Sequence, residues 1–415
     1  MRRPSVEGAI AAKERLEKVA LVTPFQHLSR LSEKYGAEVF TKREDLQQVR
    51  SFKIRGAYNK ISLLPAQDCA KGIVCASAGN HAQGFAFSCH RLKIKGTVFM
   101  PVPTPKQKID QVKMFGGKYV EIRLVGDTYD DSQKAAKRFQ KEQGLVFIHP
   151  FDDCDVIEGQ ATIALEIIEQ AEQPLDFLFV PVGGGGLISG ILTIFKALSP
   201  RTKIIGVEPS GAPSLAESLK KGKTTRLKTI DKFVDGAAVQ KVGDLCFSIC
   251  EPLLDDCLAV EEGRICQEIL DLYNKEGIVA EPAGAISLAA LDQYASQIEG
   301  KQVATLVCGG NNDITRTPEI KERALLFAQL KHYFIVRFPQ RAGALKEFVN
   351  EILGPNDDIT FFEYAKKNTR ENAPAIVGIQ LKSADDFTPL MERMKARDFF
   401  GDYLNEKPDI FQYLI

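Results

Sequence analysis

The sequence predicts an α/β protein in which two doubly wound α/β subdomains flank a cleft, followed by a small α+β domain. Two stretches alternate short apolar segments with helical segments, and the C-terminal stretch has a different order of elements. The chain has 415 residues. Because a domain usually contains roughly 100–200 residues, we expect more than one domain. Its apolar fraction of 44% is sufficient for packed cores.

The first alternating stretch runs from Gly72 to about Pro150. Strands are expected at 72–77, 96–101, 119–125 and 145–150, and helices at 79–92, from near Pro105, and at 128–143. Short apolar strands alternating with helices are typical of a parallel sheet that is covered on both faces. We therefore expect a smaller subdomain at about 50–150, inserted in a first domain of residues 1–325.

The second stretch resumes the pattern near Asp155. Helices are expected at 155–172 and 187–197, and strands at 177–182, 203–208 and 303–310. The run from Phe177 to Phe195 has no charged residue and is long enough to span a membrane. Four consecutive glycines interrupt it and would leave lipid-facing backbone poorly satisfied. We interpret it as a strand, a turn and a helix, and expect ligands in the cleft between the two subdomains.

The pattern changes after about Arg323. Strands are expected at 332–338, 358–365 and 374–381, and helices at 342–353 and 386–396, with room for one more strand in the tail. This β-α-β-β-α order is that of a ferredoxin-like unit. The unit carries no obvious catalytic cluster, and we place it at residues 326–415.

Charge and cysteine content restrict the partners and the compartment. The 54 basic and 54 acidic residues give a net charge of zero, which provides no field to attract nucleic acid or anionic lipid. We therefore expect small molecules or further copies of the chain as partners. The nine cysteines include no Cys-x-x-Cys pair, and the first residues lack a signal-type apolar core. A reducing compartment, the cytoplasm, is the simplest interpretation.

Lys53 lies in SFKIRGA (51–57), between an aromatic and a β-branched residue. A lone lysine is most often a solvated surface group, but Phe52 and Ile54 indicate a partly apolar setting. Desolvation lowers the pKa of a lysine amine and makes it a competent nucleophile and base. Lys53 is therefore the candidate catalytic residue.

Two glycine-containing turns each follow a predicted strand and begin a helix. The backbone N–H groups of SAGNHAQG (77–84) can bind a carboxylate or phosphate, although a simple helix cap is the alternative. In PVGGGGLISG (181–190) the missing Cβ atoms let the backbone approach an anion closely. A dinucleotide-binding turn that uses Glu208 competes with this interpretation, but it needs a glycine at Ile188 or Ser189. A single phosphate fits better.

A fourth motif, CGGN (308–311), ends a predicted strand, where its cysteine could face a cleft, but a core thiol is the better explanation of this motif taken alone. Together and in this order, the four motifs resemble the tryptophan-synthase-β-like (fold type II) pyridoxal-phosphate enzymes, and among them the serine/threonine dehydratases. HYFIVRFPQRAGALKEF (332–348) and GPNDDITFFEY (354–364) resemble the single ACT-like regulatory domain of biosynthetic threonine dehydratases. The resemblance covers essentially the whole chain.

The resemblance implies a role for each motif around the cofactor pyridoxal 5'-phosphate. Lys53 would bind the cofactor covalently and, once freed, remove the Cα proton of the substrate. Asn80 would bond to the ring hydroxyl, and Cys308 would face the pyridine nitrogen. The cofactor phosphate would be held by Gly183, Gly184, Gly185, Gly186 and Leu187. The substrate carboxylate would be held by Ser77, Ala78, Gly79, Asn80 and His81.

The implied reaction is deamination of L-threonine to 2-oxobutanoate and ammonia, the first step of isoleucine biosynthesis. A neutral Cys308 thiol cannot hold a proton on the pyridine nitrogen as a carboxylate would, which favours elimination over transamination. Ala78 replaces the second serine of the racemases, so racemisation should be poor. Ser214 stands where relatives with a divalent cation carry an acid, so no metal is expected. The resemblance also implies a homotetramer.

The resemblance further implies feedback by isoleucine, with valine as a second potential effector. The candidate effector site comprises the turn Arg341, Ala342, Gly343, Ala344 and Leu345, with Phe361 and Phe362. These residues would equally serve as a helix cap and a small core. Serine dehydratase and threonine synthase activities remain alternatives within the fold. Outside it, a nicotinamide-dependent oxidoreductase and a non-catalytic amino-acid sensor remain open.

Overall fold

A computed structural model describes residues 2–364 and 372–407, and the chain divides into two compact units, Met1–Ile314 and Thr315–Ile415. The strands of the first unit are β1 (Phe25–His27), β2 (Glu38–Arg43), β3 (Ile73–Ala76), β4 (Gly96–Met100), β5 (Val120–Leu124), β6 (Val146–Phe147), β7 (Phe177–Pro181), β8 (Lys203–Pro209), β9 (Asp256–Val260) and β10 (Gln302–Val307). Its α-helices are α1 (Val6–Leu16), α2 (Ser29–Tyr35), α3 (Lys53–Ser62), α4 (Ala66–Lys71), α5 (Asn80–Leu92), α6 (Lys106–Gly116), α7 (Tyr129–Gln143), α8 (Cys154–Gln170), α9 (Gly186–Leu198), α10 (Ser214–Lys221), α11 (Asp244–Leu253), α12 (Glu262–Glu276), α13 (Pro282–Ala289) and α14 (Ala295–Ile298).

The smaller subdomain is built on a parallel sheet with strand order β5-β4-β3-β6. Alternate residues of its strands enter two separate cores, because successive side chains of a strand point to opposite faces. Cys75 packs with α5 and α6 on one face, whereas Val74 packs with Ala136 of α7 on the other. Both faces are therefore covered by helices, as the alternating pattern predicted.

The larger subdomain contains a six-stranded sheet with order β1-β2-β10-β7-β8-β9, parallel except for β1. The uncharged run from Phe177 to Phe195 forms β7, the glycine turn and most of α9. Across the described residues, no helix combines the length and the apolar character that a membrane crossing requires. Together with the smaller subdomain and the second unit, this sheet confirms the predicted fold class.

Several elements of the first unit were not predicted from the sequence, and three strands show why. β2 and β9 were not identified: β2 contains charged residues, and the apolar stretch of β9 is only four residues long after Asp256. β6 ends at Phe147 instead of continuing to residue 150. The chain turns there, because Nδ1 of His149 accepts the N–H groups of Phe151 and Asp152.

The second unit consists of α15 (Thr317–Phe327), β11 (Lys331–Pro339), α16 (Ala344–Glu347), β12 (Asp358–Tyr364), β13 (Asn372–Gln380), α17 (Phe387–Ala396) and β14 (Phe400–Tyr403). Its antiparallel sheet has the order β12-β13-β11-β14, the ferredoxin-like arrangement. The helix expected at 342–353 is a short α16 followed by a wider π-helical turn, Phe348–Ile352. The division between units precedes residue 325 because α15 packs with this sheet, where Tyr333 donates to Glu322.

Candidate active site

Lys53 is the first residue of α3 and lies against the carboxyl end of β10. The N–H of Phe52 donates to the Cys308 carbonyl at 3.2 Å, which ties the start of the helix to the strand end. The Lys53 amine donates to the Pro150 carbonyl at 3.0 Å. Burial lowers the pKa of Lys53 to about 8, although the Cys308 and Cys246 thiols and the Glu281 carboxyl oppose the shift. A substantial fraction of the amine is therefore neutral near physiological pH, as nucleophilic and base chemistry requires.

A buried charge network holds α3 in place. The guanidinium of Arg55 bonds to the carboxylates of Glu44 and Glu166, and the amine of Lys42 pairs with Glu166 at 2.6 Å. All four side chains are buried, and the two carboxylates raise the pKa of Arg55. Removing one partner of such a network typically costs ~3–5 kcal/mol, since an uncompensated charge stays buried. The network thereby fixes the helix that carries Lys53.

The turn Gly183–Gly186 connects β7 to α9, and its glycines are required by close packing. A Cβ on Gly184 would stand 2.2 Å from the Phe151 ring, and a Cβ on Gly183 would stand 2.9 Å from Cα of Ala237. Gly185 adopts φ +94°, a conformation that side chains disfavour. The first N–H groups of a helix have no intrahelical partner and favour an anion. The turn therefore suits a phosphate group.

Lys53, the turn and Cys308 line one cavity. The remaining lining residues are Phe52, Phe151, Pro181, Val182, Leu187, Gly236, Ala237 and Ala283. The Cys308 thiol donates to the Ala283 carbonyl at 3.3 Å. Burial raises the pKa of this thiol, so it is neutral.

Asn80, the first residue of α5, forms side-chain hydrogen bonds with Glu281 and Asn311. Its Nδ2 donates to Oε1 of Glu281 at 2.5 Å, and its Oδ1 accepts from Nδ2 of Asn311 at 2.8 Å. Glu281 is only 5% exposed, and burial raises the pKa of its carboxyl to about 7. Its Oε1 passes close to Gly309, the neighbour of Cys308, where a Cβ would stand at 2.2 Å.

The residues expected at the substrate carboxylate lie at the start of α5, outside the set that lines the cavity. Ser77 Oγ accepts the N–H of Gly79 at 3.2 Å, and a Cβ on Gly79 would meet nothing within 4 Å. Ala78 is half-buried beside them. The His81 ring is buried and faces the Ile148 carbonyl at 3.1 Å. Burial lowers the pKa of His81 to about 3, so its ring is neutral.

Sequence reasoning missed two further groups. Glu281 precedes Pro282 at the start of α13, and a Glu-Pro pair there reads as an ordinary helix start. Asp152 accepts the N–H groups of Leu245 and Cys246 at the start of α11, which packs against the glycine turn. The cluster HPFDD (149–153) directly after a strand was the available signal for Asp152.

Ser214, the position where relatives with a divalent cation carry an acid, is hydrogen-bonded to a neighbouring side chain. Ser214 Oγ donates to Oε1 of Glu208 at 3.4 Å, and Glu208 also accepts the N–H groups of Leu215 and Ala216. Within residues 2–364 and 372–407, no three His, Cys, Asp or Glu side chains are grouped so as to hold a metal ion.

The candidate effector residues lie in the second unit. Gly343, at φ +88°, precedes the four-residue α16, and Arg341 pairs with Glu347. Ala344 is buried, whereas Leu345 is 48% exposed. On β12, the centroid of the Phe361 ring lies 6.1 Å from that of Tyr333, and the centroid of the Phe362 ring lies 6.0 Å from that of Phe338. Ala342 belongs to the turn that leads into Gly343.

The donor set fits pyridoxal phosphate: an amine of lowered pKa, a turn without room for side chains and a neutral thiol line one cavity, and the Asn80 amide bonds to Glu281, whose carboxyl lies against the neighbour of Cys308. Known proteins agree with this fit. Residues 16–309 match the family described as pyridoxal-phosphate dependent enzyme, and residues 322–414 match the C-terminal regulatory domain of threonine dehydratase.

Individual relatives extend the likeness over the whole chain. The biosynthetic L-threonine dehydratase IlvA of Halalkalibacterium halodurans is 52% identical over 415 residues, covering 100% of both chains. The processed threonine deaminase isoform 2 of Solanum lycopersicum superposes with a TM-score of 0.74 at 38% identity, covering 78% of this chain and 90% of that one. Maize serine racemase gives a TM-score of 0.72 at 31% identity, covering 78% and 98%. The chain therefore belongs, as its motifs predicted, to the pyridoxal-phosphate-dependent enzymes and within them to the biosynthetic L-threonine dehydratases with a C-terminal regulatory domain.

Proposed function

We propose that this protein deaminates L-threonine to 2-oxobutanoate and ammonia, with Lys53 as the catalytic base. The observation that carries the proposal is the convergence of the Lys53 amine, the turn Gly183–Gly186 and the Cys308 thiol on one cavity. The 52% identity with a biosynthetic L-threonine dehydratase supports threonine as the substrate.

Lys53 would first hold the cofactor covalently and then act as a free amine. Pyridoxal phosphate supplies an electron-withdrawing ring that stabilises negative charge at the substrate Cα. The Lys53 amine is suited to remove the Cα proton, because its pKa of about 8 makes the neutral, basic form accessible near physiological pH. The Pro150 carbonyl, as hydrogen-bond acceptor, orients the amine.

The two helix starts would orient the charged groups. The N–H groups of Gly183, Gly184, Gly185, Gly186 and Leu187 would bind the cofactor phosphate. Those of Ser77, Ala78, Gly79, Asn80 and His81 would bind the substrate carboxylate, and the open space beside Gly79 supports this role.

Cys308 and Asn80 would face the cofactor ring, Asn80 at the ring hydroxyl and Cys308 at the pyridine nitrogen. Because burial raises the pKa of the Cys308 thiol, this side chain cannot provide the negative charge that keeps a pyridine nitrogen protonated. Charge on the substrate Cα is then stabilised less, which favours prompt loss of the β-hydroxyl over transamination.

One set of measurements on the purified protein tests this function. We expect a yellow chromophore that borohydride bleaches and fixes on Lys53, which peptide mass mapping would locate. We also expect faster turnover of L-threonine than of L-serine or O-phosphohomoserine. A colourless protein that binds no pyridoxal phosphate would refute the proposal. Faster turnover of L-serine or O-phosphohomoserine would show that threonine is not the main substrate.

We further infer that isoleucine, and secondarily valine, binds the second unit and lowers the affinity for threonine. The match of residues 322–414 to a regulatory domain supports a small-molecule effector there. The turn from Arg341 to Leu345 and the exposed Phe362 remain the candidate contacts, with Phe361 behind them. Coupling between two sites is reciprocal and typically amounts to about 1–3 kcal/mol, or about 5–150-fold in affinity.

Reciprocity provides the test in the full chain. Isoleucine should raise the apparent threonine constant, and an unreactive threonine analogue should weaken isoleucine binding by the same factor in calorimetric titrations. Unchanged isoleucine affinity in the presence of the analogue would exclude the coupling. A Leu345→Glu variant should weaken isoleucine binding, with Val102→Glu, at an exposed apolar residue of the first unit, as the matched control.

We also propose that the protein is a cytoplasmic homotetramer. The nine cysteines, which include no Cys-x-x-Cys pair, support a reducing compartment, and the tetramer rests on the family resemblance. Light scattering should return four times the chain mass, and cell fractionation should recover the activity with the cytoplasm.

A further inference from the structure

Glu281 is a buried carboxyl group for which the proposed mechanism has no use, although it lies beside the cofactor cavity. It is 5% exposed, and a carboxylate is almost never fully buried unless it is paired. Its Oε1 accepts from the Asn80 amide at 2.5 Å, and its own N–H donates to the Gly309 carbonyl at 3.1 Å. The chain makes room for it, because a Cβ on Gly309 would stand 2.2 Å from Oε1.

We propose that Glu281 is a positioning residue for pyridoxal phosphate that acts through Asn80. This inference rests on the function proposed above and goes beyond it, since neither the sequence motifs nor the family match assigns a role to this residue.

The hydrogen bonds around Asn80 show how Glu281 acts. An amide group can rotate by half a turn and exchange its oxygen and nitrogen unless its partners distinguish them. Glu281 accepts from Nδ2, and Asn311 donates to Oδ1 at 2.8 Å, so the two partners fix one orientation. The nitrogen carries two hydrogens, and Glu281 takes one. The other keeps a defined direction for donation to the cofactor ring hydroxyl.

The charge of Glu281 also reaches the reacting groups. Burial lowers the pKa of the Lys53 amine and raises that of the Cys308 thiol, and the charge of Glu281 opposes the first shift and adds to the second. Burial and the nearby carboxyl of Asp235 favour the protonated form of Glu281, whereas the Asn80 bond and the Lys108 amine favour the charged form. With a pKa of about 7, Glu281 is neutral below pH 7 and charged above it. A bound pyridoxal phosphate should therefore sense this transition.

The first experiment follows the visible absorbance of the bound cofactor in the holoenzyme from pH 5.5 to 9. The wild-type protein should show a transition in this range, which Glu281→Gln should abolish. Glu208→Gln is the matched control, since burial also raises the pKa of Glu208 to about 7, but its carboxyl accepts the N–H groups of Leu215 and Ala216 and not the Asn80 amide. That variant should keep the transition. A Glu281→Gln protein with the wild-type transition would overturn the proposal.

The second experiment asks whether Glu281 acts through Asn80. Pyridoxal phosphate is titrated into the apo forms of Glu281→Gln, Asn80→Ala and the double variant. Glu281→Gln keeps an acceptor oxygen for Asn80 but removes the charge, and it should weaken cofactor binding by about tenfold, because a hydrogen bond to a neutral amide oxygen is weaker than one to a carboxylate. The double variant should bind no more weakly than Asn80→Ala alone, because the effect passes through one amide. Additive losses would overturn the proposal.

A third variant keeps the test decisive if Glu281→Gln does not fold. Gly309→Ala displaces the carboxyl without removing it and should shift or abolish the same absorbance transition; an unchanged transition would count against the role of Glu281. Failure of the proposed function is recognised separately, because a wild-type protein without a chromophore or threonine turnover would show it. A yellow, active wild type with an unaltered Glu281→Gln variant contradicts this inference alone.

Discussion

The two units of the chain differ in where their polar side chains lie. In the first unit, strand ends and helix starts bring the Lys53 amine, the Glu281 carboxyl and the Cys308 thiol within one region. In the second unit, the described core of the antiparallel sheet is built of apolar side chains, among them Phe334, Phe348 and Met394. Parallel strands end at a common edge where loops converge, and function concentrates there. The difference assigns the chemistry to the first unit, and we propose that the second acts on it by linkage.

The largest expected effect is that of Lys53→Ala, which tests whether the chemistry depends on this one amine. The change removes both the covalent anchor and the base, and a positioned base alone contributes roughly 10²–10⁴-fold to the rate. We expect turnover to fall at least that far while circular dichroism stays unchanged. Lys60→Ala, on the same helix, is the control and should remain active. Retention of more than about a tenth of the activity, a barrier change of only ~1.4 kcal/mol, would refute the assignment.

Gly185→Asp tests the phosphate site and should prevent retention of the cofactor. A Cβ there would stand 2.8 Å from Cβ of Cys246, and the added charge would repel a phosphate dianion. Gly222→Asp is the control, because Gly222 has a similarly positive φ of +62° with open space around it. Absorbance after dialysis should show cofactor loss only in the first variant. If Gly185→Asp purifies yellow with unchanged cofactor affinity, the phosphate lies elsewhere.

A chain ending at Ile314 tests the separation of the two units most directly. Cutting there removes α15 together with the sheet that it packs against. We expect an active enzyme in which isoleucine no longer changes the apparent threonine constant, a loss of about 5–150-fold coupling. Rates measured with and without isoleucine decide the outcome. A soluble, active, truncated chain that is still inhibited would place the effector site in the first unit.

The pH dependence of cofactor binding tests the environment of Lys53. Only the neutral amine reacts with the cofactor aldehyde, and burial lowers the pKa of Lys53 to about 8. The rate of reconstitution of the apoprotein should therefore level off above pH 8 and fall about tenfold per unit below it, where the amine is protonated. Stopped-flow absorbance measures this rate. A midpoint near 10.5, the ordinary lysine value, would mean that the amine is solvated.

The smallest expected effect is a change in product ratio with Cys308→Asp. A carboxylate can keep the pyridine nitrogen protonated, so charge on the substrate should persist longer and transamination should increase relative to elimination. Chromatographic analysis of the products measures the ratio. Cys89→Asp is unsuitable as a control because that thiol is also buried, whereas Cys69→Asp, at a half-buried position outside the cavity, should leave the ratio unchanged. An unaltered product ratio in Cys308→Asp would show that this residue does not face the pyridine nitrogen of the cofactor.

The sequence predicted the parts of the site that depend on local pattern. Lys53 and Gly183–Gly186 were identified because their flanking residues are contiguous with them in the chain. Glu281 was not, because its meaning arises from Asn80, 201 residues away. In the fold, β2 escaped prediction because Lys42 looks like a solvated residue until its pairing with Glu166 is known. The helix at 342–353 was predicted from periodicity, which does not reveal where an α-helical turn widens.

The contact between Phe151 and the glycine turn makes some substitutions depend on the order in which they occur. At Gly184 a Cβ would collide with the Phe151 ring at 2.2–2.4 Å, whereas at Gly186 the closest atoms are Cβ and the carbonyl oxygen of Phe151 at 2.9 Å. Truncating the ring would relieve the first collision and not the second. Gly184→Ala should therefore be tolerated only after Phe151→Ala, while Gly186→Ala stays harmful in either background. Evolution could thus reach a bulkier turn here by only one of the two mutational orders.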